Sequence, residues 1–289
     1  FEQDLLIKDK IYIARIRAYL DIESLPPLSD SANLIKKLYE EGAENVNIIQ
    51  LVRIIESDAL LTANILKMIN APYYGFSRKI ASVAQAVSLF GTNIVYGLVI
   101  NYAVSERIIA KTHAYNVSAS NFNDICHMQS NLMIQWYSKI DLRHAQFLAP
   151  LALIMEAGKL IVADEVDKSA YIVEFQDGLK KCDAVEIYEY ELIGTTSYYL
   201  SGLLFEHWNL EPLYVKMLKN LDIEVDNVRE KMDYYIETLN VIRTAINVKD
   251  VLTDESIEKA SIIVENLDLD TEHFKNVAHR IKKSYEAQK

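Results

Sequence analysis

Residues 48–107 read IIQLVRIIESDALLTANILKMINAPYYGFSRKIASVAQAVSLFGTNIVYGLVINYAVSER, and the spacing within them decides the fold class. Ile48, Leu51, Val52 and Ile55 recur at i, i+3, i+4 and i+7, the period of an amphipathic helix rather than the alternation of a strand. Asp58 then stands as an N-cap ahead of Leu61, Ile65, Met68 and Ile69, and Pro72 disfavours helical geometry at Ala71, so a second helix fills the interval. A third begins near Ser82 and buries Val83, Val87 and Phe90; a fourth carries Ile94, Leu98 and Tyr102 toward the same core. No charge falls between Lys79 and Glu106, a length sufficient to cross a bilayer. Ser82, Gln85, Ser88, Thr92, Asn93 and Asn101 interrupt that run, and Gly91-Thr92-Asn93 reads as a helix stop followed by a new cap. Two buried core helices are therefore predicted, and no membrane insertion.

Outward from this stretch the same period continues. Leu34, Ile35 and Leu38 mark an upstream helix. Downstream, helices are predicted near 124–139, 148–163, 167–179, 182–192, 195–208 and 211–219, and a last one buries Phe274, Val277, Ala278 and Ile281. Only 8 Gly and 5 Pro interrupt 289 residues, which fits helices joined by short connections. The predicted class is all-α, two-lobed and multi-helical. The polar run from Ala114 to Asn123 is the boundary between an N-terminal lobe, 1–112, and a second lobe, 113–220, with a C-terminal appendage over 221–289. Within the appendage Val228, Met232, Tyr235, Leu239, Ile242 and Ile246 alternate steps of four and three. That seam over 228–246 suits either a homodimer or a helix docked on its own domain, and its short length favours docking.

Charge and cysteine content narrow the function. A formal net charge of −11 makes nucleic acid an unfavourable partner, and the basic pairs Lys180-Lys181 and Lys282-Lys283 are too short to reverse that. Cys126 and Cys182 form no Cys-x-x-Cys spacing, so neither a disulfide framework nor a thiolate zinc site is expected, in keeping with a reducing, cytoplasmic setting. The acidic-amphipathic start from Glu2 to Leu20 lacks the form of a secretory signal. No glycine-rich phosphate loop and no Ser-His-Asp order stands out, and no cofactor is expected.

Leu25-Pro26-Pro27-Leu28, then Ile55-Glu56-Ser57-Asp58 with Leu61-Thr62, then Asn70-Ala71 before Tyr73-Tyr74-Gly75, resemble the HDOD family. Ile80, Ser82, Gln85-Ala86 and Leu89-Phe90-Gly91 extend the likeness, with Phe90 where the family has a leucine. Gly194-Thr195, Leu203-Leu204 and Trp208-Asn209-Leu210 with Pro212 carry it to about residue 220. The resemblance implies an HD-phosphohydrolase-like helical fold and a role in bacterial signal transduction.

An HD phosphohydrolase gathers His and Asp side chains around a divalent cation that acidifies a bound water. By the resemblance, the His-Asp pair should stand where this chain has Met155-Glu156, ahead of Ala157-Gly158-Lys159, which retains the glycine-lysine that follows the pair in active relatives. A thioether is a poor partner for a hard cation. His127 resembles the first ligand, Ser197 replaces a later histidine, and Lys219-Asn220 stands where a histidine pair often appears. No catalytic or metal-binding residue is therefore expected, and His127, Met155, Glu156, Lys159 and Ser197 form a degenerate pocket. Residue by residue, His127 also reads as a buried histidine bonded to a carbonyl, Met155 as core, and Glu156 with Lys159 as an i,i+3 ion pair worth about 0.2–0.5 kcal/mol. The expected function is non-catalytic binding of a protein partner, with Tyr73, Tyr74 and Phe76 as contact aromatics unless they wedge between helices. The alternative is a remodelled metal-dependent phosphohydrolase or nucleotide binder using His127 and Glu156. The remaining histidines, at 113, 144, 207, 273 and 279, read as surface or capping residues.

Overall fold

The computed structural model describes residues 2–108, 112–169, 171–222 and 231–287, and among these residues it contains sixteen α-helices and no β-sheet. In chain order they are α1 (Glu2–Ser24), α2 (Asp30–Tyr39), α3 (Ile48–Ser57), α4 (Ala59–Ile69), α5 (Val83–Phe90), α6 (Thr92–Arg107), α7 (Ala119–Tyr137) and α8 (Leu142–Ile154). There follow α9 (Gly158–Lys168), α10 (Ile172–Lys181), α11 (Val185–Ile193), α12 (Ser197–His207), α13 (Pro212–Lys219), α14 (Lys231–Ala245), α15 (Asp254–Asn266) and α16 (Thr271–Glu286).

The polar residues of the opening stretch are caps and braces. Asp58 accepts from the Leu61 N–H at 3.0 Å, and Thr62 donates to the Ile55 carbonyl at 2.7 Å, which fixes the corner between α3 and α4. Asn70 receives the Ile80 N–H at 2.8 Å and donates to the Ile80 carbonyl at 2.9 Å, closing the loop between them. Ser82 caps the Gln85 N–H while the Gln85 side chain accepts from the Ala81 N–H, one residue ahead of the cap, so the start of α5 is held from both sides. Gly91, at φ 81, ends α5 and starts α6, so the uncharged run is indeed two helices. One helical stretch, Leu142–Lys168, is long and apolar enough to span a membrane, and 89% of its apolar window is buried within the chain.

Three sequence expectations shift. In α2, Ile35 is buried while Leu34 faces solvent. The helix expected near 124–139 starts earlier, inside the polar run 114–123, because Ser118 caps the Asn121 N–H and α7 begins at Ala119. The segment 148–163 is not one helix: a 3₁₀ turn over Met155–Ala157 separates α8 from α9. Such a break frees backbone groups that need partners. Here Ser201 of α12 supplies them, accepting from the Gly158 N–H at 2.7 Å and donating to the Met155 carbonyl at 2.6 Å.

One contiguous apolar core runs from Ala14 to Tyr285. Helix α1 packs on α9, α11 and α12, burying Ala14, Ala18 and Ile22, and its Arg17 pairs with buried Glu165 of α9. Near the other end, Trp208 donates its ring N–H to the Pro26 carbonyl at 3.0 Å, His207 donates to the Leu25 carbonyl at 3.0 Å, and Lys36 returns a bond to the Trp208 carbonyl. The stretch over residues 228–246 packs on its own chain, the reading that its short length favours. Tyr235, Leu239, Ile242 and Ile246 are buried inside their own chain, where α14 packs on α7, α8, α13 and α15, and Met232 is half-buried. Val228, the first seam position, lies outside the described residues.

Candidate functional site

The site is set by how closely α12 approaches the start of α9. A Cβ added at Gly158 would lie 1.9 Å from the Ser197 carbonyl oxygen and 2.7 Å from the Ser201 nitrogen, so only glycine admits this approach. The next residue, Lys159, then projects into the interior with its ammonium 3.1 Å from Glu156 Oε2 and 3.4 Å from Glu189 Oε1. It donates to Ser197 Oγ at 2.8 Å and lies 4.6 Å from the centre of the Tyr198 ring.

Every group around that ammonium has a further partner. Glu156 Oε1 accepts from Gln129 at 2.7 Å and from the Tyr198 hydroxyl at 3.0 Å, and Gln129 also reaches the Ile246 carbonyl at 2.9 Å. Glu189 Oε1 accepts from the Tyr115 hydroxyl at 2.7 Å, and its Oε2 from the Ser197 N–H at 2.8 Å. Tyr115, Gln129, Glu156, Lys159, Glu189, Ser197 and Tyr198 are all buried. Arg243 stands 4.8 Å from the Tyr198 ring centre and is itself paired with Asp222 at 2.6 Å.

The electrostatics follow from burial and charge together. Burial works against the Lys159 cation, but the Glu156 and Glu189 carboxylates outweigh it and hold the ammonium well above its ordinary range. Burial raises Glu189 despite the opposing pull of Lys159, Tyr115 and Ser197. Burial, reinforced by Glu156, keeps Tyr198 protonated as well. A lysine locked in its charged form among two carboxylates is a permanent internal cation.

These residues do not fit a divalent metal. The position between the carboxylates is taken by Lys159, and a second cation there would be repelled by it. Met155 is fully buried and offers a thioether. His127 joins a different cluster: its Nδ1 is hydrogen-bonded to the Tyr74 hydroxyl at 3.0 Å, with the Tyr73 ring 6.3 Å away. The expected carbonyl partner is thus replaced by a tyrosine hydroxyl, and Nε2 is buried with no partner among the described residues. Lys219 pairs with Glu206 at 2.6 Å, outside the buried network. Of the pocket read from the sequence, the structure therefore joins Glu156, Lys159 and Ser197, with Met155 in the turn beside them, and sets His127 apart.

Burial lowers the His127 pKa to about 4. The unfolded chain takes up a proton near pH 6.5, whereas the folded chain resists until about pH 4. Between these values the unfolded state holds more protons, so stability falls as pH falls, by at most about 1.4 kcal/mol per pH unit from this group. His127→Leu should flatten that part of the pH dependence in urea unfolding measured from pH 7 to 4.5. Equal slopes for the variant and the parent would refute the assignment.

The loop aromatics need a correction too. Tyr73 and Tyr74 are not exposed; they wedge between helices, with Tyr73 bonded to Asp124 at 3.3 Å and Asn131 donating to the Tyr73 carbonyl at 2.6 Å. Phe76 is 43% exposed and meets Phe90 edge-on. It borders an open groove of about 670 Å³ whose rim also carries exposed Leu89 and Leu142, facing Arg280 of α16.

Sequence reasoning missed Glu189, Tyr115, Tyr198, Gln129 and Ser201. One signal for Glu189 was legible: it sits midway along the stripe Val185, Glu189, Ile193, which α11 turns to the core. A carboxylate at the centre of an apolar stripe calls for a buried partner.

The HDOD domain model matches residues 25–222. No curated protein matches the chain in a sequence search. Among solved structures, the fold resembles a virulence factor from Campylobacter jejuni subsp. jejuni, with 21% identity, a TM-score of 0.55, and coverage of 93% of this chain and 99% of that one. It also resembles an HDOD domain protein of unknown function from Geobacter sulfurreducens, with 15% identity, a TM-score of 0.64, and coverage of 94% and 95%. A candidate signal transduction protein from Marinobacter aquaeolei VT8 matches with 19% identity and a TM-score of 0.66, over 92% of this chain and 59% of that longer one. At such identities the likeness is one of fold.

Proposed function

The chain belongs to the HDOD family, and from that premise we propose that it is a non-catalytic regulatory protein of a bacterial signalling pathway that acts in the cytoplasm by binding a protein partner. The observation that carries this reading is the Lys159 ammonium, held at 3.1 Å by the buried carboxylate of Glu156, which stands where the family resemblance puts a metal ligand, and at 3.4 Å by that of Glu189. With Lys159 between these carboxylates and the Met155 thioether where the resemblance expects an imidazole, no open position remains at which a cation could activate water. The fold is thereby kept without the chemistry.

The face offered to a partner is the groove beside Phe76. Phe76, Leu89 and Leu142 expose apolar surface around it, and such surface rimmed by polar groups marks association sites. An apolar segment of the partner fits this chemistry. The double variant Phe76→Asp, Leu89→Asp should weaken capture of the partner from cells by at least about tenfold while leaving the fold intact, because both side chains face solvent. Unchanged capture would discard the groove.

Catalysis is tested separately. The purified protein should carry no stoichiometric metal and should not hydrolyse bis(p-nitrophenyl) phosphate above background when manganese is added. A tightly held metal lost on His127→Ala, together with phosphodiester hydrolysis, would establish a remodelled phosphohydrolase in its place.

A further inference from the structure

We propose that the outer face of α1, together with the exposed side of α11, is a self-association surface on which a second copy of this chain docks about a two-fold axis. Helix α1 is apolar on two opposite sides. Ala14, Ala18 and Ile22 are buried against its own chain, whereas Tyr12, Ile13, Ile16 and Leu20 project from the other side of the helix and are exposed. A surface helix carries one apolar stripe and one polar face, so a second apolar stripe belongs against a second layer. The helix is firmly seated on its inner side. Its Arg17 pairs with Glu165, its Asp21 pairs with Lys168 at 2.7 Å, and a Cβ placed at Gly194 would come within 2.9 Å of the Ile11 side chain.

The stripe is the ridge of a wider patch. On one flank a groove sets Arg15 and Tyr19 of α1 beside exposed Ile187, Tyr190 and Tyr199. On the other, Lys10 and Ile13 share a groove with exposed Tyr171 and Leu192. These nine large, mostly apolar residues are each between 37% and 61% exposed. At roughly 200 Å² for a large side chain, they present on the order of 900 Å². The largest apolar patch on a typical monomer is about 300–600 Å², and a stable interface takes about 800 Å² from each partner. The area therefore suits a full interface.

Charge selects the occupant. In a two-fold interface each residue appears on both sides, so a patch of one sign would repel its own copy. This patch carries both signs. Lys10 and Arg15 of α1 meet tyrosines, the Tyr171 hydroxyl at 3.5 Å and the Tyr12 ring at 5.5 Å, and neither pairs with a carboxylate among the described residues. Glu174 of α10 and Glu191 of α11 border the same face, and neither pairs with a cation among the described residues. A second copy turned over on this face sets the α1 cations of each chain against the carboxylates of the other. The groove at Phe76 lies on other helices, α5 and α16, and stays open for a different partner.

Sedimentation velocity on the purified full chain is the test. The parent should dimerise with a Kd of about 1 µM or tighter, the weak end for an interface of this size. Ile13→Glu and Tyr190→Glu, at exposed positions on different helices, should each weaken the dimer at least about thirtyfold while leaving the urea midpoint unchanged. Two charge variants then read the pairing itself. Lys10→Glu, Arg15→Glu leaves only carboxylates at the four charged positions, and Glu174→Lys, Glu191→Lys leaves only cations. Each should sediment alone as a monomer, and the two mixed should recover a dimer. A parent that stays monomeric at about 100 µM would give the face to another protein and overturn the proposal. So would a dimer that survives Ile13→Glu, charge variants that dimerise alone, or charge variants that stay monomeric when mixed. None of these outcomes bears on the groove at Phe76, which is read by partner capture.

Discussion

Replacing Lys159 by methionine lowers the stability of the folded chain by about 3–5 kcal/mol, the cost of leaving a buried ion pair with one partner. Methionine nearly matches the length of lysine, so the loss reports charge rather than a hole. Glu156 and Glu189 are then left facing one interior volume with their remaining bonds to Gln129, Tyr198, Tyr115 and Ser197. Urea unfolding at pH 7 measures the loss. The double variant Lys159→Met, Glu189→Gln removes one of the two carboxylate charges as well and should recover part of it, with a coupling of about 1–3 kcal/mol between the two positions. A single variant within 1 kcal/mol of the parent, in that assay, would mean that the internal cation is not what the two acids require.

The second large effect is expected at Gly158→Ala. Overpacking typically costs about 1–3 kcal/mol and sometimes more, depending on whether the neighbours can give way. Here they are backbone atoms of α12 at 1.9 and 2.7 Å, and α12 is itself tied to the turn through Ser201. The loss should thus reach about 3 kcal/mol or beyond. It should also raise the accessibility of Lys159, which is visible as faster amine labelling in the folded state. An alanine variant with parental stability and labelling would show that α12 stands farther from α9 than these distances indicate.

Much of the fold was legible because its signals are local. Asp58, Ser82, Gly91 and Pro72 punctuate an apolar pattern of one period, and each marks a helix end within four residues of itself. Asn70 and Thr62, read at first only as part of a family pattern, prove to brace corners that the pattern needs. What escaped was set by distant residues. The break between α8 and α9 leaves no mark in the apolar period, since Met155 and Ala157 are as core-like as their neighbours; it depends on a serine 43 residues beyond Gly158. The burial of Tyr73 and Tyr74 depends on His127 and Asn131 of α7. Glu156 and Lys159 read as a helical pair of a few tenths of a kcal/mol because Glu189, which turns that pair into a buried triad, enters only through the packing of α11.

The docking of α1 has a consequence for synthesis. Its resting surface is built from α9, α11 and α12, and α12 ends only at His207, roughly 180 residues after α1 is complete. At about 5–20 residues per second, a ribosome needs on the order of ten to forty seconds to deliver that surface. During the interval Ala14, Ala18 and Ile22 have no native cover, so α1 is seated long after it is made, and nascent chains halted before α12 should leave it open to protease and chaperone.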